Sequence, residues 1–267
     1  MSADKIGYAV ADGVATMTLV APPANTYSYE MMQELDAVVL RARMDEAVHV
    51  IVITGAGETF FCAGANIGML KDADPAFKYY FCLHANETLN RLEQTPKLVI
   101  AALNGHTVGG GLEVAMAADI RIARQGGGKI GMPEVALGVL PGTGGTQRFA
   151  RLVGKARAIE TLALGSLFTF EAARDMGLIN HVWGESDLNG RTLAQAVHDY
   201  ARQFTPPHKA SKAVGHIKRA VQSGLEVSFH EGLALERELQ QRLFESDDAR
   251  EGIAASLEKR KPDFHGR

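Results

Sequence analysis

Two glutamates in one glycine-rich stretch are the side chains of this sequence that could carry acid–base chemistry. Glu113 lies in an apolar run, Gly-Gly-Gly-Leu-Glu-Val-Ala-Met, and Glu134 lies between a proline and a valine. A buried carboxylate without a partner is costly. Burial or a second negative charge raises its pKa, so one glutamate can hold a proton while the other acts as a base. We predict that these two form a catalytic pair; the alternative is one carboxylate on a helix surface and one in a loop, neither in a site.

Two loops of small residues could present backbone N–H groups to a ligand oxygen. Residues 62–66 read Cys-Ala-Gly-Ala-Asn, and residues 109–111 are three glycines at the predicted start of a helix. The first N–H groups of a helix have no internal partner and carry the positive end of its dipole. One N–H from each loop, aimed at the same carbonyl oxygen, would form an oxyanion hole, each donor contributing about 3 kcal/mol. Taken alone, residues 62–66 are better explained as a tight turn in which the side chains must be small.

The glycine clusters do not match nucleotide-binding motifs. The Gly-Ala-Gly at 55–57 is followed by Phe60 where a third glycine is required, and the Gly-Thr-Gly at 142–144 has Gln147 there. No Lys-Ser/Thr pair ends a phosphate loop of the right spacing. The sequence therefore argues against a dinucleotide or phosphate-loop site.

Composition narrows the class of protein. The chain has 267 residues, 46% of them hydrophobic, and a net charge of −3. Without a long run of one sign, we expect no nucleic-acid partner and no membrane partner. The absence of a signal-like segment and of a long apolar stretch predicts a soluble, cytoplasmic protein. Cys62 and Cys82 lack metal-binding spacing, so we expect free thiols and no metal site, with a disulfide as the alternative.

The hydrophobic pattern indicates α/β architecture. Strands alternate with helices in the first part of the chain, with strands predicted at 6–20 (two short ones), 48–54, 98–103 and 119–123, and helices at 28–44 and 76–94. Helical patterns dominate after residue 155, at 155–165, 171–177, 190–203, 208–223, 226–244 and 247–260. We predict a core at 1–203 that carries the active site and a helical region at 204–267 that packs on another subunit or on its own core.

Three stretches resemble motifs of the enoyl-CoA hydratase/isomerase family, the crotonase superfamily. They are FCAGANIGML at 61–70, LNGHTVGGGLEVAMAAD at 103–119 and GMPEVALGVLPGTGGTQR at 131–148. The resemblance covers essentially the whole chain. It implies an α/β fold built as a spiral of repeated β-β-α units, followed by helices that form a homotrimer or a dimer of trimers. It also implies an acyl-CoA thioester substrate and no cofactor other than the coenzyme A of that substrate.

The resemblance also implies roles for individual residues. Ala65 and Gly110 match the two residues whose N–H groups hold the thioester oxygen. Glu113 matches the carboxylate that activates water, and Glu134 matches the one that exchanges the α-carbon proton. Gly142 matches the glycine whose N–H helps to hold the water. Substrate contacts are expected at Ala63, Ala65, Asn66, Ile67, Gly68 and Leu70.

Some positions depart from the family pattern. Asn66 replaces a common aspartate, Gly68 a frequent lysine, and Ser256 a phenylalanine of the tail; His106 replaces a tyrosine and is expected to be a packing residue. These changes leave both glutamates and both oxyanion positions intact, so they bear on the coenzyme A contacts and on the preferred acyl chain.

The activity that this resemblance implies is the reversible syn addition of water to a trans-2-enoyl-CoA, giving a 3-hydroxyacyl-CoA, as in fatty acid β-oxidation. A Δ3–Δ2 enoyl-CoA isomerase, or another crotonase reaction such as decarboxylation, is the second hypothesis. An RNA-binding or scaffold protein on the same frame is the third; the near-neutral charge and the intact glutamates argue against it.

Overall fold

A computed structural model describes residues 5–267 of the chain. The strands, in chain order, are β1 (Ile6–Ala11), β2 (Val14–Leu19), β3 (Val50–Gly55), β4 (Phe60–Cys62), β5 (Leu98–Leu103), β6 (His106–Val108), β7 (Ile120–Arg124), β8 (Lys129–Gly131), β9 (Leu167–Thr169) and β10 (His181–Trp183).

Helices follow or separate these strands. They are α1 (Tyr29–Met44), α2 (Ile67–Asp72), α3 (Pro75–Glu93), α4 (Gly110–Met116), α5 (Gly145–Val153), α6 (Lys155–Leu164), α7 (Phe170–Asp175), α8 (Glu185–Leu188), α9 (Leu193–Arg202), α10 (Ser211–Gly224), α11 (Phe229–Phe244) and α12 (Asp247–Glu258). A short 3₁₀ helix spans Glu134–Leu137.

The strands form two sheets, and from β3 to β8 successive strands alternate between them. The six-stranded sheet has the order β1-β2-β3-β5-β7-β10, and the four-stranded sheet has the order β4-β6-β8-β9. Each of β3, β5 and β7 in the larger sheet is followed in the chain by a short strand of the smaller one. Each such pair of a longer and a shorter strand supplies the two strands of the β-β-α units that the resemblance implies.

The central strands are apolar because both of their faces are covered. All six residues of β5 are buried, as expected of a parallel strand between two layers. One apolar cluster includes Leu35 of α1 and Leu89 of α3, and a second, on the other face, includes Val197 of α9. The two faces explain why the strand patterns at 50–55 and 98–103 are continuous rather than alternating.

The predicted elements in the first 203 residues are found with small shifts at their ends. The helix after Ser28 begins at Tyr29, and the Ser28 hydroxyl caps it by accepting from the Met31 N–H at 3.4 Å. The strand predicted at 48–54 spans Val50–Gly55. Cys62 is buried, Cys82 is half-buried, and both are free thiols, as expected. Within residues 5–267, none of the helices combines the length and apolar character needed to cross a bilayer.

The C-terminal helices were predicted at 208–223, 226–244 and 247–260 and are observed as α10, α11 and α12. Among the apolar side chains of these helices, Leu239 is buried, Leu233, Leu235 and Leu243 are partly buried, and Val227 and Phe244 are exposed. Within the chain, α11 packs mainly on α10.

A buried ion pair fastens α10 to the large sheet. Lys218 Nζ lies 2.9 Å from Asp119 Oδ2, and their side chains are 4% and 13% exposed. Lys218 also donates to the Lys97 carbonyl at 3.0 Å, and Asp119 accepts from the Val99 N–H at 2.7 Å. Because Lys97 and Val99 flank the start of β5, this pair joins the tail to the strand that leads toward the glycines at 109–111.

Lys218→Ala should lower the free energy of unfolding by about 3 kcal/mol, because it leaves the buried Asp119 carboxylate without its cation. Urea denaturation followed by circular dichroism measures the change. Arg219→Ala, at an exposed position one residue along α10, is the matched control and should change stability by less than about 0.5 kcal/mol. Equal losses in the two variants would contradict the prediction.

Candidate active site

Glu113 is buried and hydrogen-bonded by a single loop. It lies in α4 with 2% exposure. Its Oε1 accepts from the Thr143 N–H at 2.8 Å and the Gly145 N–H at 2.7 Å, and its Oε2 accepts from the Thr143 hydroxyl. Burial raises the pKa of Glu113, and these three hydrogen bonds oppose that effect because they stabilise the carboxylate. The same loop also packs closely on the carboxylate. A Cβ at Gly145 would lie 2.7 Å from Glu113 Oε1, so this position has no room for a side chain.

The loop that holds Glu113 is braced by α3 and α5. Arg148 donates to the Thr143 carbonyl at 3.3 Å and forms a 2.8 Å ion pair with Glu93. It also donates to Asn90 Oδ1 at 2.7 Å. These contacts hold the Thr143–Gly144 peptide group, and with it this part of the loop, against α3 and α5.

Glu134 lies close to the same part of α4. It begins the 3₁₀ helix after Pro133, and a Cβ at Gly109 would be 2.9 Å from Glu134 Oε1. The Glu113 N–H in turn donates to the Gly109 carbonyl at 3.3 Å. Glu113 is therefore buried rather than on a helix surface, and it is close enough to Glu134 for its negative charge to act on that carboxyl group.

The surroundings of Glu134 favour its protonated form. Its Oε2 is buried and has no hydrogen-bond partner among the residues that the structure describes. Burial, opposed by a backbone hydrogen bond and reinforced by the negative charge of Glu113, raises the pKa of Glu134 to about 7. One carboxylate of the pair is therefore surrounded by donors, while the other is in an environment that retains a proton near neutral pH.

The two predicted oxyanion loops touch each other. A Cβ at Gly64 would lie 2.9 Å from the Gly110 nitrogen, so Ala65 and Gly110 are neighbours in space. Within residues 5–267, the N–H groups of Ala65 and Gly110 have no hydrogen-bond acceptor. Two unpaired amides at adjacent loops can donate to one ligand oxygen, as an oxyanion hole requires.

The remaining predicted substrate positions surround these loops. Gly142 is exposed, and its carbonyl accepts from Asn86 Nδ2 at 3.1 Å. Ala63 donates its N–H to the Ala24 carbonyl at 3.0 Å, so this amide is already used within the fold. Among the predicted substrate contacts, Asn66, Ile67 and Gly68 are exposed at the start of α2. Leu70 is partly buried.

Asn66 and His106 have contacts within the protein. Asn66 Oδ1 accepts from the Met69 N–H at 3.0 Å and caps α2. His106 packs on Phe60 with ring centroids 5.1 Å apart, and its Nδ1 accepts from the Lys129 N–H at 3.0 Å. His106 is thus a packing residue, as expected from the sequence.

Several residues of the site were not identified from the sequence. Thr143, Gly145 and Arg148 lie within the quoted motif, but nothing in their spacing shows that they hold Glu113. Tyr27 and Cys82 come from other parts of the chain. Tyr27 directly follows the Pro-Ala-Asn-Thr turn, which is the only sequence signal for it. Cys82 has no such signal; burial, reinforced by the negative charge of Glu113, raises the pKa of its thiol.

Comparison with known proteins gives one consistent result. The family model described as enoyl-CoA hydratase/isomerase matches residues 9–267. A probable enoyl-CoA hydratase of Bacillus subtilis is 36% identical, with 98% of each chain covered. An enoyl-CoA isomerase/hydratase of Mycosarcoma maydis is 34% identical over the full length of both chains. The crystal structure of an enoyl-CoA hydratase from Geobacillus kaustophilus superposes with a TM-score of 0.94, at 40% identity, covering 100% of this chain and 98% of the other.

The raised pKa of Glu134 predicts a pH-dependent effect on stability. The folded state binds this proton more tightly than the unfolded chain does. The resulting stabilisation is fully present below pH 4.5, the ordinary pKa of the group, and is lost as the pH rises to about 7. Glu134→Gln carries no charge, so above pH 7 it should be more stable than the wild type by about 1–2 kcal/mol, after allowance for solvent screening.

Urea denaturation at pH 4.5 and pH 8 measures this effect, and the stability difference should be near zero at the lower pH. Glu87→Gln, on the exposed side of α3, is the control and should behave like the wild type at both values. A difference between Glu134→Gln and wild type that does not change with pH would contradict the assignment.

Proposed function

Because the chain belongs to the enoyl-CoA hydratase/isomerase family and has its crotonase fold, we propose that it is an enoyl-CoA hydratase. The reaction is the reversible syn addition of water to a trans-2-enoyl-CoA, which gives a 3-hydroxyacyl-CoA. The observation that carries this proposal is the contrast between two neighbouring glutamates, one held by three donors and one without a side-chain partner for its buried oxygen.

In the proposed reaction, the thioester oxygen accepts from the N–H groups of Ala65 and Gly110. Water attacking the β-carbon pushes electrons through the conjugated system onto this oxygen, and the two amides stabilise the enolate. Preorganisation supports this role, because neither amide has an acceptor within residues 5–267 and the two loops are in direct contact.

The glutamates would divide the proton transfers. Glu113, stabilised as a carboxylate by Thr143 and Gly145, takes a proton from the attacking water, and the N–H of Gly142 helps to hold that water. Glu134, with a pKa of about 7, donates its proton to the α-carbon. The pair begins and ends the addition holding one proton in total, so the proposal requires no metal or redox cofactor.

A Δ3–Δ2 enoyl-CoA isomerase is the second candidate function. The similarity to the enoyl-CoA isomerase/hydratase of Mycosarcoma maydis favours keeping it, and Glu134 beside an oxyanion hole could move a proton between two carbons. Glu113 argues for hydration, because an isomerase needs no carboxylate to activate water. Product analysis after incubation with a 3-enoyl-CoA separates the two reactions.

We also propose that the protein is a homotrimer or a dimer of trimers. The exposed apolar side chains of the tail support self-association, since isolated chains seldom expose many large apolar groups together; they include Leu225, Phe229, Phe244, Ile253 and Leu257. Light scattering at several protein concentrations tests the assembly state.

Glu113→Gln and Glu134→Gln should each lower kcat for hydration of crotonyl-CoA by about 10²–10⁴-fold, because each removes one proton-transfer group. Loss of the conjugated thioester absorbance measures the rate, and Glu87→Gln is the exposed control. No turnover of any 2-enoyl-CoA by the wild type, or full activity in both variants, would overturn the hydratase proposal.

The pH profile of kcat/KM should be bell-shaped. Activity requires one proton on the glutamate pair, so it falls when the pair gains a second proton at low pH and when it loses its proton at high pH. We expect the upper apparent pKa near 7, the value for Glu134. The same bell should appear with a 3-hydroxyacyl-CoA as substrate, since both directions use the singly protonated pair. A rate that stays constant well above pH 8 would contradict this proton assignment.

A further inference from the structure

One face of α3 holds the loop that supplies the hydrogen-bond donors to Glu113. Asn86, Asn90 and Glu93 are four and three residues apart, so their side chains lie on the same side of the helix. Asn90 and Glu93 act on the loop indirectly, because both accept from Arg148, at 2.7 Å and 2.8 Å. Asn86, which is half-buried, contacts the loop itself.

Asn86 and Glu113 hold the two ends of one peptide group. Asn86 Nδ2 donates to the Gly142 carbonyl at 3.1 Å, and the Thr143 N–H donates to Glu113 Oε1 at 2.8 Å. This carbonyl and this N–H belong to the same planar peptide unit, and because the unit is trans they point to opposite sides of it. A rotation that breaks one of the two hydrogen bonds therefore turns the other group as well.

The backbone on either side of Thr143 does not restrict this peptide by itself. Gly142 and Gly144 flank the residue, and glycine has the widest choice of backbone conformations. Gly144 has a φ of +102°, and a Cβ there would collide with Arg148 and lie 3.3 Å from Asn86 Oδ1. Side-chain contacts, rather than local backbone preference, must therefore fix the direction of the N–H group.

The contact with Asn86 also strengthens the donor at the other end of the peptide. A carbonyl that accepts a hydrogen bond polarises its peptide group, which makes the N–H a better donor. Burial raises the pKa of Glu113, and the hydrogen bond from the Thr143 N–H is one of those that lower it. Both the direction and the polarisation of this peptide thus favour the ionised form of Glu113.

We propose that Asn86 is a positioning residue for the hydratase reaction, holding the Gly142–Thr143 peptide so that its N–H stabilises the Glu113 carboxylate. This inference rests on the proposed function and adds a residue to that site. Asn86 acts through the peptide rather than on the substrate. Its loss should therefore affect the group that activates water more than it affects substrate binding.

The first oxyanion loop is held by separate contacts. The Tyr27 N–H donates to the Gly64 carbonyl at 2.9 Å, and the Tyr27 carbonyl accepts from the Asn66 N–H at 2.9 Å. These hydrogen bonds do not involve α3 or the loop that it holds. Removing the amide of Asn86 should thus leave binding of the thioester oxygen intact, so the variant should change kcat and not KM.

Asn86→Leu tests the proposal because it removes the amide and keeps a side chain of similar size. We expect kcat for crotonyl-CoA hydration at neutral pH to fall about 10-fold, with KM unchanged within about twofold. The lower apparent pKa of kcat/KM should rise by about one unit, since a hydrogen bond that supports a charged group is lost. Glu87→Leu, the same kind of change at the exposed neighbouring position, is the matched control and should leave all three quantities unchanged.

Asn86→Asp separates the hydrogen bond from packing. It keeps the shape of the side chain but places an acceptor beside the Gly142 carbonyl, so it should lower kcat at least as much as Asn86→Leu. Wild-type activity in Asn86→Asp would overturn the proposal. A lower kcat in Asn86→Leu with an unchanged pH profile would do the same, because it would show a structural defect that does not act through Glu113.

An infrared titration makes the outcome independent of turnover. The carboxylate band of Glu113, identified by its loss in Glu113→Gln, should titrate at higher pH in Asn86→Leu than in the wild type or in Glu87→Leu. If the wild type hydrates enoyl-CoA and this band does not shift, the role of Asn86 is wrong and the hydratase proposal stands. If the band shifts but no 2-enoyl-CoA is turned over, Asn86 supports the Glu113 carboxylate as inferred and the hydratase proposal fails.

Discussion

The carboxylate of Glu113 is the group around which the site is built. A buried negative charge is tolerated only where donors converge on it, and here Thr143 and Gly145 supply two N–H groups and one hydroxyl. Because these donors come from a single turn, the path of that turn decides whether the charge is stable. Two features of the turn agree with this requirement. Arg148 donates to the Thr143 carbonyl, and Gly145 lies so close to the carboxylate that it has no room for a side chain.

The two sheets bring the rest of the site to this carboxylate. Side chains are excluded at Gly55, Gly105 and Gly111, where a Cβ would strike the backbone between Thr59 and Cys62. The strands therefore approach more closely than ordinary side chains would permit. The ends of β4 and β6 consequently place the loop of Ala65 and the start of α4 next to each other, so the N–H groups of Ala65 and Gly110 become neighbours.

Periodicity and burial patterns were sufficient for most of the fold. A near-continuous β-branched run identified β3, and three- and four-residue spacing identified α1, because these signals are local. The apolar neighbours of Glu113 likewise marked it before any contact was known. Arg148, Thr143 and Tyr27 could not be identified in this way, since their contacts to the site depend on tertiary structure; Thr143 meets Glu113 across 30 residues of sequence. The tail shows the same limit: its pattern identifies apolar faces but does not specify what covers them.

Two residues of the same type acquire different properties because their surroundings differ. Glu113 is the more deeply buried, yet donors offset much of the cost of its charge, whereas Glu134 is less buried and its buried oxygen has no donor among residues 5–267. The negative charge of Glu113 adds to the cost of ionising Glu134. Each hydrogen bond that favours the Glu113 carboxylate therefore also helps Glu134 to retain its proton. In the proposed reaction, the residues that hold Glu113 would act on both proton transfers, although, within residues 5–267, none of them donates to Glu134 Oε2.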